Sequence, residues 1–256
     1  MLVAPYDAIL LDLDGVLYRW PEPIPGAADA VVTLREAGKG LAFVTNNASR
    51  TPDEVAERLS SVGVRAEPGE VVTSALAAAS AVAERGVRSA FVVGEGGLIA
   101  ALEDRGVRVV DGSARDVGAV VVGFDRGVTY DKLKDASVLV ASGVPLIASN
   151  ADASFPAPDG QAWPGAGALI AAIETTTGAK AEVIGKPEPP LLELALEAAG
   201  GGRPLVVGDR LDTDIAGAAR LGWDSALVLT GVARREDVET APWKPTFVVE
   251  RLGDLV

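Results

Sequence analysis

The sequence predicts an α/β protein in two domains, each built on a mainly parallel sheet covered by helices. Three observations carry this expectation. Short apolar, valine-rich runs alternate with amphipathic segments along nearly the whole chain, and strands of that kind belong to sheets buried on both faces. The runs are too many for one compact sheet in 256 residues, which favours a division in two. Hydrophobic residues make up 48% and charged residues 23% of the chain, the ordinary balance of a globular protein with ample core material.

Taken in order, residues 3–13 read as a buried strand and 27–37 as a helix closed by Gly38. A second strand spans 40–45, and Asn46-Asn47-Ala48-Ser49-Arg50 forms a loop. Thr51 is placed to cap the next helix, with Pro52 at its first position and Glu54 three residues on, a capping-box pattern opening a helix to about residue 62. Further strands are expected at 71–72, 89–93, 107–110, 118–124, 145–149, 181–184, 205–207, 225–229 and 247–249. Helices are expected at 74–85, 98–104, 130–142, 167–177, 190–199 and 213–221. No internal repeat, heptad pattern or low-complexity tract interrupts the alternation.

Composition excludes several chemistries. Net charge is −13, so nucleic acid and anionic membrane are poor partners, since both require a basic footprint. The chain has no cysteine and no histidine, which removes disulfides, thiolate metal sites, thiol catalysis and serine–histidine hydrolysis. Any metal must then be hard and oxygen-ligated: magnesium, calcium or manganese. No basic segment opens the N-terminal apolar run, which Asp7 and Asp12 interrupt, and no apolar stretch reaches about 18 residues. A cytoplasmic protein is expected.

Ligands of open parallel sheets collect at the carboxyl ends of the strands. Four such ends carry reactive residues: Asp12-Leu13-Asp14-Gly15, Thr45-Asn46-Asn47, Gly185-Lys186-Pro187, and Gly208-Asp209 with Asp212 and Asp214 beyond. Two acids spaced by two at a strand end share one side and repel unless a cation or a shared proton relieves them. Asp12 suits a carboxylate nucleophile that accepts a phosphoryl group. Asp12 and Asp209 suit a magnesium ion, and Lys186 supplies a second positive charge. The Thr45 hydroxyl and the Asn46 backbone N–H can hold phosphoryl oxygens, and Asp14 suits a general acid and base. Each motif alone also has a plain reading. D-x-D occurs in surface and calcium loops, Gly-Lys-Pro is a common turn, and Asp209, Asp212 and Asp214 can cap the following helix, the preferred reading for Asp212. What argues for chemistry is their occurrence together, in order, each at a strand end.

The motifs DLDGVL, VTNN, GKP and VGDRLDTDI, in this order, resemble the haloacid-dehalogenase superfamily of phosphatases. GFDRGVTYDKL and PAPDGQAWPGAGALIAAIE are similar to the large α/β cap of its NagD-like, p-nitrophenylphosphatase-like branch, and the likeness runs from Tyr6 to Phe247. The resemblance implies a Rossmann-like core of residues 1–84 and 184–256 with an inserted α/β cap of 85–183. It implies Asp12 as phosphoryl-accepting nucleophile and Asp14 as acid/base, with the Asp14 carbonyl on magnesium alongside Asp12 and Asp209. Thr45, Asn46 and Asn47 would clamp the phosphate with Lys186, and Asp214 would order metal-bound water or hold Lys186. The implied activity is magnesium-dependent hydrolysis of small phosphomonoesters such as phosphoglycolate, glycerol phosphate or p-nitrophenyl phosphate through an aspartyl-phosphate. The alternative is a pyridoxal phosphate, sugar phosphate or nucleotide phosphatase of the same family. A homodimer is compatible with the cap of some relatives.

Substrate choice is expected in the cap loop 149–156, with Asn150, Asp152 and Phe155 as candidate specificity residues; Asn150 and Asp152 equally suit turn-forming roles. Relatives acting on pyridoxal phosphate carry histidine at the position of Phe155, which argues against that substrate. Trp163 reads first as cap core or interface. A reading from another class is a non-catalytic phosphate- or nucleotide-binding module. Gly94-Glu95-Gly96-Gly97 follows a strand and opens a helix, yet Ile99 stands where a dinucleotide fingerprint needs its last glycine, and Asp116 answers only loosely to its acid.

Overall fold

In a computed structural model of the chain, which describes residues 1–114, 116–156 and 161–256, strands and helices alternate as the apolar runs require. Strand β1 (Ala8–Asp12) leads into a small hairpin of β2 (Tyr18–Arg19) and β3 (Glu22–Pro23), then α1 (Ala27–Glu36), β4 (Gly40–Thr45), α2 (Pro52–Ser61), β5 (Val71–Thr73) and α3 (Ser74–Glu84). There follow β6 (Ser89–Val93), α4 (Gly96–Asp104), β7 (Arg108–Val110), β8 (Ala119–Val122), α5 (Tyr130–Ala141) and β9 (Leu146–Ala148). A second hairpin, β10 (Ser154–Pro156) and β11 (Ala162–Pro164), precedes α6 (Ala166–Thr177) and β12 (Glu182–Val183). The chain closes with α7 (Pro189–Ala198), β13 (Pro204–Gly208), α8 (Ala216–Arg220), β14 (Asp224–Val228), α9 (Asp237–Thr240) and β15 (Phe247–Val249).

Two compact units result. The first comprises Met1–Thr45, Pro52–Val72 and Lys186–Val256, the second Asn46–Thr51 and Thr73–Gly185. Helix α3, which the sequence reading assigned to the first domain, is grouped with the second unit, where it packs on α4. Residues 157–160 of the PAPDGQ motif lie outside the described residues.

The first unit holds a six-stranded sheet ordered β15-β14-β13-β1-β4-β5. Strand β1 is central and parallel to both neighbours, with Leu11 opposite Val207 on one side and Phe43 on the other. Ala8, Ile9, Leu10 and Leu11 are all fully buried, which is why the run shows no polar alternation; each large side chain contributes about 1.5–3 kcal/mol on burial. From β1 the chain builds outward to β4 and β5 on one side, and later to β13, β14 and β15 on the other. The carboxyl end of β1 is therefore the topological switch point where such sheets open a crevice.

Two expected elements are shortened, for identifiable reasons. The strand expected over 3–13 begins at Ala8, because the N–H groups of Leu2 and Val3 donate to the Leu255 carbonyl instead of a ladder. The helix expected over 213–221 is a π-helical turn, Leu211–Ile215, followed by the short α8. There the Arg210 N–H donates to the Asp214 carboxylate at 3.2 Å; wide turns of this kind favour functional sites.

The second unit has its own five-stranded parallel sheet, ordered β12-β9-β8-β6-β7. Phe91, Val93, Val120 and Val122 form its core with Ala136 and Val140 of α5 and Ile170 and Ile173 of α6. Side-chain caps start two of its helices: Thr73 accepts from the Leu76 N–H and Thr129 from the Lys132 N–H. Among the described residues no helix is long and apolar enough to cross a membrane.

Candidate active site

The switch point of the first unit gathers four charged side chains from three chain segments. Asp12 ends β1, Asp209 follows β13, Asp214 lies in the π-helical turn, and Lys186 precedes α7. Lys186 Nζ donates to Asp12 Oδ1 at 2.6 Å and to Asp214 Oδ1 at 2.6 Å. Lys186 and Asp214 are buried, and the second oxygen of Asp214 takes the Arg210 N–H. Asp209 is also buried; its Oδ2 accepts the Val232 N–H at 2.7 Å. Its Oδ1 is the only buried carboxylate oxygen among the described residues without a hydrogen-bond partner.

Charge counting shows what this cluster lacks. Asp12, Asp209 and Asp214 each offer an oxygen within 4.8 Å of the others, and one ammonium neutralises only one of them. Burial raises the Asp12 pKa well above the usual carboxylate range, with Lys186 opposing and Asp214 and Asp209 adding to the rise. Asp209 is pushed up to about 6 by burial and the Asp214 charge. Burial acts against the charged form of Lys186, but Asp12 and Asp214 outweigh it and raise its pKa. The lysine therefore stays protonated, while Asp12 and Asp209 are both pushed towards taking up a proton. Two uncompensated negative charges, an orphaned carboxylate oxygen and an all-oxygen donor set fit one hard divalent cation.

Asp14 lies two residues beyond Asp12 in the same unit. Burial raises its pKa, against the opposing pull of the Arg58 and Lys186 charges and the Tyr18 hydrogen bond. Tyr18 bridges back to Asp14 through the main chain. The Arg58 guanidinium of α2 lies 3.7 Å from the Trp20 ring centroid and 5.1 Å from that of Tyr18. An acid that is partly buried, yet faced by cations, is suited to gain and lose a proton. Thr45 is buried at the end of β4, and Asp12 pairs in register with Val44 beside it, so the hydroxyl-bearing strand end adjoins that of the nucleophile candidate.

The remaining sequence candidates belong to the second unit. The Asn46 carbonyl accepts from Ser74 Oγ at 2.5 Å and from Asn150 Nδ2 at 2.7 Å. Asn46 Nδ2 lies 3.4 Å from both oxygens of Asp152, and Asn150 Oδ1 accepts the Asp152 N–H at 3.1 Å. Asn150 is thus buried and engaged in fastening its loop to the Asn46 segment. Asn47 Oδ1 accepts from the N–H and hydroxyl of Ser49, as an Asx turn requires. Phe155 stacks on Phe124 with ring centroids 4.4 Å apart, and Trp163 is exposed. Asp212 is exposed and pairs with Arg210. In the Gly94–Gly97 segment Glu95 pairs with Arg126 and the Gly97 N–H donates to the Ser49 carbonyl. An N–H spent in this way is not available to a pyrophosphate.

Sequence reasoning missed one part of the cluster: Thr230, Gly231 and Val232, after β14. That strand also ends at the carboxyl edge of the sheet, and this was the available signal.

Comparison with known families places these residues in context. Sequence models described as haloacid dehalogenase-like hydrolase and HAD-hydrolase-like match residues 9–108 and 183–255. The acid sugar phosphatase of Staphylococcus aureus is 38% identical over 254 residues, covering 98% of this chain and 97% of that protein. NagD from Escherichia coli K-12 superposes with a TM-score of 0.91 at 31% identity, over 98% of this chain and 99% of its own. The glycerol phosphate phosphatase of Mycobacterium tuberculosis, solved in complex with magnesium, gives a TM-score of 0.94 at 36% identity, over 99% of this chain and 77% of its own.

Proposed function

Because the chain belongs to the haloacid-dehalogenase-like hydrolases, as a phosphatase of their NagD-like branch, we propose that it hydrolyses small phosphomonoesters through a phosphoryl group carried on Asp12. The observation that carries this reading is Lys186 Nζ at 2.6 Å from both Asp12 and Asp214. A lysine locked between two acids opposes the protonation that burial favours at Asp12 and fixes the direction of its carboxylate, and neither property is needed for a merely structural acid.

Asp12 attacks phosphorus and the bond to the leaving alkoxide breaks, with the alkoxide taking the Asp14 proton. Asp14, now a carboxylate, removes a proton from water, which attacks the phosphorus of the acyl phosphate and releases inorganic phosphate and Asp12. Thr45 and Lys186 hold the phosphoryl oxygens, with Asn46 and Asn47 completing the clamp. Asp12, Asp209 and the Asp14 carbonyl are the proposed holders of a divalent cation, and Asp214 acts by holding Lys186. When bound, that cation supplies the positive charge that lets a carboxylate meet a phosphate dianion. The unpartnered Asp209 Oδ1 and the magnesium and calcium complexes of the mycobacterial relative favour a hard divalent cation, and the proposed one is Mg2+.

The first unit is the proposed catalytic core and the second the proposed specificity cap; the core expected from the sequence, residues 1–84 and 184–256, differs mainly in taking in 46–51 and 73–84, which group with the second unit. Asn150, Asp152 and Phe155 of the 149–156 loop are the residues to vary. The names of the relatives favour sugar and polyol phosphates as substrates. Phosphate release from p-nitrophenyl phosphate, glycerol phosphate and a sugar phosphate, in magnesium and in excess chelator, tests the proposal. Asp12→Asn should lower turnover at least about 10⁴-fold. Full activity in that variant, or in chelator, would end the account.

A further inference from the structure

The carboxylate of Asp209 is enclosed by Gly15 of the first motif and by the segment 230–232, which no catalytic motif includes. Strand β14 adjoins β13, and the residues after β14 turn back over Asp209. The Val232 N–H holds Asp209 Oδ2 at 2.7 Å. A Cβ on Gly231 would come within 1.9 Å of that same oxygen, and a Cβ on Gly15 within 2.4 Å of it. The Thr230 hydroxyl donates to the Gly15 carbonyl at 2.6 Å, and Arg19 Nε donates to the Thr230 carbonyl at 2.7 Å. One carboxylate oxygen is thus pinned between two glycines, and the other, Oδ1, is buried without a partner.

We propose that residues 230–232 are a positioning element for the metal carboxylate: they fix Asp209 Oδ2 so that Oδ1 is presented to a divalent cation, and through Thr230 they lock the Asp14-Gly15 turn against the same group. The inference rests on the reading of Asp209 as a metal carboxylate. Its physical basis is preorganisation. A carboxylate whose rotation is blocked on both sides offers its ligand oxygen without first losing rotamer freedom, and partners of this outer kind typically govern metal affinity by about 10–100-fold. Gly231 does not need glycine for its backbone angles, so an alanine there acts through its methyl group on Asp209. At Gly15, where φ is +81°, a side chain would strain the turn as well, and the two effects would be confounded.

The test is calorimetric titration of Mg2+ into chelator-treated full-length protein, with no substrate present. Gly231→Ala is expected to weaken Mg2+ binding by about 10–100-fold. Thr230→Val should weaken it to a lesser degree and Thr230→Ser should restore it. Wild-type affinity in both Gly231→Ala and Thr230→Val would overturn the proposal. If Gly231→Ala does not fold, the threonine pair decides: equal Mg2+ affinity in Thr230→Val and Thr230→Ser overturns it, and loss with rescue supports it. Asp209→Asn is the control on the underlying assignment. Undiminished binding in that variant would overturn both readings, whereas loss in Asp209→Asn with wild-type binding in the loop variants would remove only the positioning role.

Discussion

Each unit pairs a lysine with a buried aspartate, and the two arrangements differ in one respect. In the second unit Lys132 Nζ donates to the buried Asp125 at 2.6 Å, and the other Asp125 oxygen accepts the Gly127 N–H at 2.9 Å. One charge meets one charge, both oxygens are taken, and the pair is closed. In the first unit Lys186 faces three acids and leaves Asp209 Oδ1 without a partner. A closed pair can only fasten a loop to a helix. A cluster held in net negative charge is unstable by itself and is made stable by what it binds, which is the arrangement expected of a site. The two pairs should therefore respond differently to the same substitution.

The largest contrast is expected from the lysines. Lys186→Met removes the cation hydrogen-bonded to both Asp12 and Asp214 and should reduce turnover at least about 10³-fold, as loss of an electrostatic partner at a reacting group does. It should also destabilise the fold by about 3–5 kcal/mol, since it leaves buried acids uncompensated. Lys132→Met should cost about 1–3 kcal/mol, because Lys132 is one-third exposed and water can replace it in part, and kcat per folded molecule should not change. Denaturant unfolding paired with active-site-normalised turnover separates the two. Loss of kcat in Lys132→Met, in protein shown to be folded, would break the comparison.

How far the sequence discloses this contrast depends on what each contact is made of. Asp12, Lys186, Asp209 and Asp214 were legible because their chemistry lies in their side chains and because each follows an apolar run whose end the topology brings to one edge. The alternation of runs was enough for two α/β units. Contacts that depend on backbone were not legible. Gly231 contributes the absence of a Cβ and Val232 contributes an N–H, and neither is distinctive in a sequence. Asn150 illustrates a second kind of obscurity: an amide in a loop suits a turn or a ligand, and here it is bonded to a carbonyl 104 positions away. Element ends shifted where a terminal segment found other partners, as Leu2 and Val3 did with Leu255.

Asp14 sharpens the comparison within the first unit, separating proton transfer from charge compensation. Aryl phosphates expel a leaving group stable as its anion, and alkyl phosphates do not. Asp14→Asn should therefore slow glycerol phosphate turnover by about 10²–10⁴-fold and slow the expulsion of p-nitrophenolate far less. Pre-steady-state release of p-nitrophenolate, measured beside single-turnover hydrolysis of glycerol phosphate, reads the difference. Equal losses in the two steps would remove the acid role.

The smallest effect concerns a third ion pair, Glu95 with Arg126, again in the second unit and again closed. Arg126 Nε lies 2.7 Å from Glu95 Oε1, and the Arg126 N–H and a second guanidinium nitrogen also donate to that carboxylate. Burial works to raise the Glu95 pKa, but the bonds from Arg126 and the charges of Arg126 and Arg50 outweigh it and the pKa falls below its ordinary value. A carboxylate with a depressed folded-state pKa contributes its stability in full above the unfolded value of about 4.3 and loses it as pH falls through the folded value. Arg126 is 60% exposed, so solvent screening limits the contribution to at most about 1 kcal/mol. Wild type should exceed Glu95→Gln by that margin in urea unfolding at pH 7, and the two curves should converge as the pH is lowered through 4 towards 2, because both side chains are then neutral. A gap that persisted undiminished at the acid end would mean that the glutamate acts through packing and not charge, and the closed pair would then owe its stability to shape alone.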